Sequence, residues 1–251
     1  MQPPVSSFTG FHRPLRAVVI GANGGIGGAL CAALSAHEDV AAVVAFARQA
    51  PAALAPKMVG ATLDLEDEPS IAAAATLAAA DGPLDLVILA TGLLHAPGLQ
   101  PEKRWESLDA AALARLFAVN ATGPALCARH FLPRLRRGST SVFAALSARV
   151  GSISDNRAGG WYGYRASKAA LNMLLKTLAL ELTRRNPDAV CVGLHPGTVD
   201  TGLSRPFQTR VPEGKLFTPA QAASQLLTVC AGLTPAASGQ VLAWDGSPVP
   251  A

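Results

Sequence analysis

The sequence predicts one α/β domain: a doubly wound parallel sheet of about seven strands, with helices on both faces. Three observations predict it. Short, wholly apolar, β-branched runs recur along the 251 residues, as in strands buried on both faces. Stretches of helical length, many rich in alanine, separate them, so that each strand is followed by a crossover that brings the next one in parallel. Half of the residues are hydrophobic and 15% are charged, which supplies a large core and leaves too little charge for disorder. No Pro-, Gly- or Ser-rich linker interrupts this alternation.

The first strand is Leu15–Ile20 (LRAVVI), after a short tail, residues 1–14, that lacks the hydrophobic region of a signal peptide. Glycines end that strand, and a helix follows over Gly28–Ala36. Val40–Ala47 (VAAVVAFA) is a second strand, and Leu63 and its neighbours a third, before the helix Ser70–Ala80. Leu84–Ala90 (LDLVILA) is a fourth. Leu108–Leu135 is helical with a break near Gly123-Pro124, where proline removes a donor. Ser141–Leu146 (SVFAAL) is a fifth strand, Tyr164–Arg184 a long helix, Ala189–Leu194 (AVCVGL) a sixth strand and Gly239–Ala243 a seventh. Ligands of such sheets bind beyond the carboxyl ends of the strands, so the residues just after each strand are the candidates for chemistry.

The formal charge is +4, with lysines and arginines scattered apart from Arg134, Arg136 and Arg137. A nucleic-acid surface shows a denser basic stripe with interleaved aromatics, so a nucleic-acid partner is not expected. Cys31, Cys127, Cys191 and Cys230 lie in apolar surroundings with no CxxC spacing, and the five histidines show neither HxxxH nor HExxH. Buried thiols in a reducing compartment are expected, with no metal site and no disulfides. No apolar run reaches the roughly 18 residues of a membrane span. A soluble cytoplasmic protein is the expectation.

The first strand runs into GANGGIGGAL, Gly21–Leu30, with Gly21, Gly25 and Gly27 spaced GxxxGxG. Glycine permits a tight turn and lets backbone amides approach a pyrophosphate, which the helix N-terminus then favours. This is the turn of a Rossmann-type nucleotide site. The second strand ends in Ala47-Arg48, with no carboxylate to hold ribose hydroxyls and repel a 2′-phosphate. Arginine matches that phosphate in geometry and charge, so NADP(H) is expected over NAD(H).

Only two tyrosines occur, Tyr162 and Tyr164, in GGWYGYRASK. Tyr164 has Lys168 four residues on, on the same helix face, whereas Tyr162 has Ala166 at that offset. A free phenol titrates near pH ~10, and a neighbouring ammonium would lower that value toward useful acid–base chemistry.

From about Leu15 to Trp244 the chain resembles the short-chain dehydrogenase/reductase superfamily. The likeness rests on GANGGIG, Asp64-Leu65, ATG at Ala90–Gly92, VNATG at Val119–Gly123, LSARVGSI at Leu146–Ile153, YRASK, and HPGTVDT at His195–Thr201. The stretch from Ser147 to Met173 is most similar to the C-factor and sniffer-like carbonyl reductase branch. The resemblance implies that Tyr164 is the general acid, that Lys168 lowers its pKa and binds the nicotinamide ribose, and that Asn120 holds a water of the proton relay. It implies that Gly21, Asn23, Gly25, Ile26 and Gly27 bind the cofactor and that Asp64 and Leu65 flank the adenine. Ala90, Thr91 and Gly92 would back the adenosine ribose, and Pro196, Gly197, Val199 and Thr201 would border the nicotinamide.

Three departures stand out. Ile20 precedes Gly21 where the family has threonine. Thr91 replaces a small residue. Ser147-Ala148 stands where many members have two serines, so that Ala148 falls in the usual catalytic slot. Ser147, the hydroxyl at the strand end, is taken as the catalytic serine, ahead of Ser152 and Ser154.

The reading is an NADP(H)-dependent oxidoreductase that reversibly reduces an aldehyde or ketone. Residues 202–217 form a lid whose Phe207, Phe217, Arg205 and Arg210 suit an apolar or an acidic substrate. The resemblance suggests a homodimer or homotetramer through the helices carrying Asn120 and Tyr164. The alternative is a catalytically weak NADP(H)-binding regulatory or signalling protein of C-factor type.

Overall fold

The computed structural model describes residues 7–51 and 55–251. In chain order the elements are β1 (Leu15–Ile20), α1 (Gly25–Ala36), β2 (Val40–Ala47), β3 (Met58–Thr62), α2 (Glu68–Ala78) and β4 (Leu86–Leu89). α3 (Ala110–Phe117), a π-turn (Ala118–Thr122), α4 (Gly123–Phe131), β5 (Ser141–Leu146) and α5 (Tyr162–Arg185) follow. The chain ends with β6 (Ala189–His195), the short β7 (Thr198–Val199) and β8 (Leu216–Phe217), α6 (Pro219–Ala231) and β9 (Val241–Ala243).

Seven strands form one sheet in the order β3-β2-β1-β4-β5-β6-β9, parallel throughout. β4 and β5 are buried along their whole length, which explains their unbroken apolar sequence. Successive side chains enter opposite layers. Ala17 and Val19 of β1 pack with Leu30, Leu34 and Leu226 of α1 and α6. Val18 and Ile20 pack with Ile71, Phe131 and Leu171 of α2, α4 and α5. The strand order reverses direction between β1 and β4, so the loops at their carboxyl ends part and open a crevice.

The strands β2 and β5 lie where the apolar runs predicted them. The third strand is Met58–Thr62, just before Leu63. It is an edge strand, only partly buried, so its sequence lacks the apolar signal. The interruption of the long helical stretch is the π-turn, one position ahead of Gly123, rather than the proline. Gly123 is needed because a Cβ there would lie 2.8 Å from Leu65 Cβ and 2.9 Å from its carbonyl oxygen. The helical run Ala110–Arg134 passes by length and composition as able to cross a membrane, although Arg115 and Arg129 interrupt its apolar sequence. Here it is broken by the π-turn and places Leu116, Cys127 and Phe131 in the interior.

Residues 1–6 of the expected tail lie outside the described residues. From Ser7 onward it is packed. Phe8 is fully buried, edge-on to Phe11 at 5.4 Å and to His37 at 5.2 Å. The Phe8 N–H and the Ser7 hydroxyl donate to Asp39. Phe8→Ala removes a buried ring and leaves a cavity beside β2. It should lower the unfolding free energy by about 3–5 kcal/mol, measured as a fall in the urea midpoint with unchanged slope.

Candidate active site

The glycine turn is shaped by close approach. Gly21 has φ +95°, and its N–H and that of Ala22 donate to Phe46 O at the end of β2. A Cβ on Gly21 would lie 2.7 Å from Ala90 O, and one on Gly27 2.1 Å from Gly21 O, so α1 starts against the turn itself. A Cβ on Gly25 would meet Thr201 Cγ2 at 2.8 Å. α1 has Gly24 as N-cap, no side-chain cap and no acid in its first turn. Its first amides are therefore available to an anion. Asn23 Nδ2 donates to Gln49 O at 2.8 Å, tying the turn to the end of β2. The Ile26 side chain packs toward the core instead.

Beyond the turn a cleft of about 800 Å³ opens. It brings together Gly21, Asn23, Arg48, Asp64, Leu65, Ala90, Thr91 and Gly92 as the sequence reading expected. It adds Glu66, Arg115 and Val119, which that reading missed. Arg115 lies on α3, 67 positions after Arg48, and only the fold puts the two guanidinium groups on one cleft. Its features fit a dinucleotide. The glycine cradle would be filled by any Cβ, and the uncapped helix start faces the same loops.

Asn120 sits in the π-turn, fully buried. Its Oδ1 accepts from Leu93 N at 2.8 Å, and its Nδ2 donates to Leu93 O at 2.8 Å and Ser167 Oγ at 3.1 Å. Both amide hydrogens are thus committed to joining the β4 loop to α5, and Oδ1 keeps one lone pair. Lys168 is buried and donates from Nζ to Leu146 O at 2.7 Å. A Cβ on Gly92 would lie 3.8 Å from both Asn120 Oδ1 and Lys168 Nζ, and 3.7 Å from Leu203. The glycine leaves open the point where the β4 loop, the π-turn, α5 and the segment after β7 meet.

Tyr164 is buried, with Lys168 Nζ 6.0 Å from its ring centroid. Burial pushes the phenol up to about 12 and the Lys168 ammonium down to about 8. This is opposite in sign to the expectation from sequence: withdrawal from water sets the phenol's shift, and the ammonium is hydrogen-bonded to a carbonyl rather than to the phenol.

Ser147 lies at the end of β5, but its hydroxyl donates to Asn172 Oδ1 at 2.6 Å. Tyr164, Lys168 and Asn172 follow at steps of four on α5, so Ser147 ties the strand to the same helix face that carries the tyrosine and lysine. Ser152 and Ser154 both donate to Ala251 O. His195, at the end of β6, has its Nδ1 buried without a partner. Burial and then Arg149 push it down to about 4, against the opposing pull of Asp245. Pro196 follows, and Gly197 has φ +73° with Phe217 Cε2 2.7 Å from where a Cβ would stand. Val199 is buried and Thr201 faces Gly25. β7 and β8 pair in parallel and so bracket residues 202–215. In that segment Phe207 stacks edge-on against Trp161 at 4.9 Å and His95 at 5.8 Å.

Comparison with known proteins places this geometry. A family model described as short chain dehydrogenase matches residues 16–211. The C-signal of Myxococcus xanthus is 37% identical over 172 residues, covering 67% of this chain and 93% of that one. The 1-hydroxy-2-glutathionyl-2-methyl-3-butene dehydrogenase of a Rhodococcus strain is 34% identical over 233 residues, 92% of this chain and 96% of that one. The NADPH-bound carbonyl reductase from chicken fatty liver superposes with a TM-score of 0.81 at 25% identity, covering 97% of each chain. The carbonyl reductase Sniffer of D. melanogaster, at 20% identity and a TM-score of 0.77, covers 96% of this chain and all of that one and shares the fold.

The buried lysine makes stability depend on pH. Its folded pKa of about 8 lies below the ordinary 10.5, so the unfolded chain binds more protons between those values and stability rises with pH there. Lys168→Met should remove that rise in the ligand-free protein. Urea unfolding at pH 7, 8, 9 and 10 measures it, and parallel curves for both proteins would show that the ammonium is not desolvated.

Proposed function

This chain belongs to the short chain dehydrogenase family and is an NAD(P)-dependent oxidoreductase, and from that premise we propose that it reversibly reduces an aldehyde or ketone to an alcohol with Tyr164 as proton donor. The observation that carries this reading is the meeting of Asn120 and Lys168 beside Gly92, with the Tyr164 ring 6.0 Å from the Lys168 ammonium. The nicotinamide cofactor, when bound, supplies the hydride. Gly21, Asn23 and the first amides of α1 would hold its pyrophosphate, and Asp64, Leu65 and Thr91 would line its adenosine end. Pro196, Gly197, Val199 and Thr201 would border its nicotinamide. Tyr164, kept protonated by its burial, gives its proton to the carbonyl oxygen as negative charge develops there. Lys168 has N–H groups beyond the one bonded to Leu146, which would hold ribose hydroxyls, and its charge then favours the return of the phenol to service. The remaining lone pair on Asn120 Oδ1 would hold a relay water.

Ser147 would assist by turning its hydroxyl from Asn172 toward the substrate oxygen. Its present bond, with Ala148 beside it, favours the second reading, a weakly catalytic NADP(H)-binding regulatory protein. Stoichiometric NADPH binding without turnover over a broad carbonyl panel would select that one. Met173 and Leu180 are large exposed apolar residues on α5, which supports self-association into a homodimer or homotetramer. Four buried free cysteines suit the reducing cytoplasm.

NADP is expected to bind more tightly than NAD, because Arg48 and Arg115 line the cleft at its adenosine end. Charge-assisted hydrogen bonds contribute about 1.5–3 kcal/mol. Arg48→Ala should therefore weaken NADP binding by about tenfold or more and leave NAD nearly unchanged, as read by isothermal titration. Equal affinities for the two cofactors in the parent chain would remove the assignment.

Tyr164→Phe should lower kcat for carbonyl reduction by about 10²–10⁴-fold, the usual contribution of general acid catalysis, with NADPH affinity and melting temperature little changed. Tyr162→Phe should keep most of the activity, since the lysine at the catalytic offset belongs to Tyr164. Near-normal kcat in Tyr164→Phe would overturn the mechanism.

A further inference from the structure

The start of α5 is unusual in its backbone. Gly159, Gly160 and Trp161 have φ of +64°, +63° and +54°, three left-handed residues in succession. The two glycines adopt this freely, but a tryptophan does not. What holds Trp161 there comes from 59 positions earlier, in the loop after β4. The Trp161 N–H donates to the main-chain oxygen of Glu102 at 2.5 Å. The Glu102 carboxylate accepts from Gly163 N, with Oε1 at 3.3 Å and Oε2 at 3.2 Å. Glu102 is 4% exposed, and α5 has no side-chain cap of its own and no acid in its first turn. A carboxylate at a helix start is favoured by the free amides and the helix dipole. Gly163 gives it room: a Cβ there would lie 2.9 Å from Glu102 Oε1 and 2.6 Å from Leu116 Cδ1.

The clamp fixes an aromatic wall. The Trp161 indole is edge-on to Tyr164 at 6.3 Å and to Phe207 at 4.9 Å. His95, from the same loop as Glu102, closes on Phe207 and lies with Nε2 3.2 Å from the carbonyl oxygens of Gly202 and Leu203. Two arginines near this wall are engaged elsewhere. Arg165 donates to Gly160 O and Val150 O, and Arg149 pairs with Asp155. The wall itself is built of ring edges.

We propose that Trp161 is the specificity-determining residue of the substrate mouth, selecting aldehydes and ketones that carry a flat apolar ring, and that Glu102 is its positioning residue. This rests on the carbonyl-reductase reading above and narrows its substrate class. Aromatic pairs of this kind reward a ring beyond its buried area, so the preference should sit in binding.

The first arm of the test compares benzaldehyde with propanal. The parent chain should favour benzaldehyde in kcat/KM. Trp161→Ala should cut that value about tenfold, mostly through KM, and change propanal by less than about threefold. Glu102→Ala should shift the ratio the same way, and Glu102→Gln, which keeps an acceptor oxygen for Gly163 N–H, should restore most of it. A ratio unchanged in Trp161→Ala, or equal losses for both aldehydes, overturns the proposal. If Glu102→Ala does not fold, Glu102→Gln decides the clamp by lying between the parent chain and Trp161→Ala.

The second arm uses no turnover. With Trp105→Phe and Trp244→Phe, Trp161 is the sole tryptophan, and its emission is titrated with benzyl alcohol and with 1-propanol. Saturable change with benzyl alcohol alone supports the ring site; no change, or equal change with both, overturns it. A parent chain that reduces neither aldehyde overturns the carbonyl reading, while this arm still decides the wall.

Discussion

An ammonium group withdrawn from water sets the terms on which this site is built. Burying a charge is costly unless it is hydrogen-bonded, and Lys168 has a main-chain oxygen, Leu146 O, as its acceptor in the protein. That oxygen is available because Leu146 is the last residue of β5. The surroundings are then trimmed to admit the side chain. A Cβ at Gly151 would lie 2.9 Å from Lys168 Cβ. Asn120 and Ser147 lock the helix that carries the lysine from either side, through Ser167 and Asn172. The low lysine pKa records what this arrangement leaves unsatisfied.

Much of this was legible in the sequence, for definite reasons. β5 is buried along its whole length and β2 over its last three residues, so the apolar run is as long as the strand. The glycine turn is legible because its tightest contact, Gly27 against Gly21 O, spans only six residues, although Ala90 and Thr201 from distant loops also press on Gly21 and Gly25. The tyrosine and lysine share a helix face, which is a local property. The most telling of the missed features are long-range. Glu102 is one acid in PEKRW, and nothing near it in sequence says that it caps a helix 61 positions on. Arg115 reads as an ordinary helical arginine until the fold sets it on the cleft with Arg48. The pairing of β7 with β8 involves two residues on each side, too few for any periodicity.

The sign of the tyrosine's pKa shift was missed for a different reason. Sequence spacing shows that a positive charge is near, but not how much water is lost along with it. Spacing four residues apart puts two side chains on one face, and that same face is the one α5 turns inward. The proximity that suggests a lowered pKa thus comes with the burial that opposes it. Burial sets the direction for both groups, raising the phenol and lowering the ammonium.

That balance bears on how a carbonyl substrate would be held. A protonated phenol supplies one hydrogen bond to the substrate oxygen. The hydroxyl that would supply a second is bonded to Asn172, and its neighbour Ala148 has none to offer. In the proposed mechanism the phenol would then be the one side-chain donor to the substrate oxygen, and orientation would come from the walls of the mouth. Those walls are aromatic, and their placement runs through the main chain of Trp161 to Glu102. The loop after β4 consequently joins both halves of the task. Its Leu93 is bonded to Asn120, beside the acid–base pair, and its Glu102 sets the residue against which the substrate would lie.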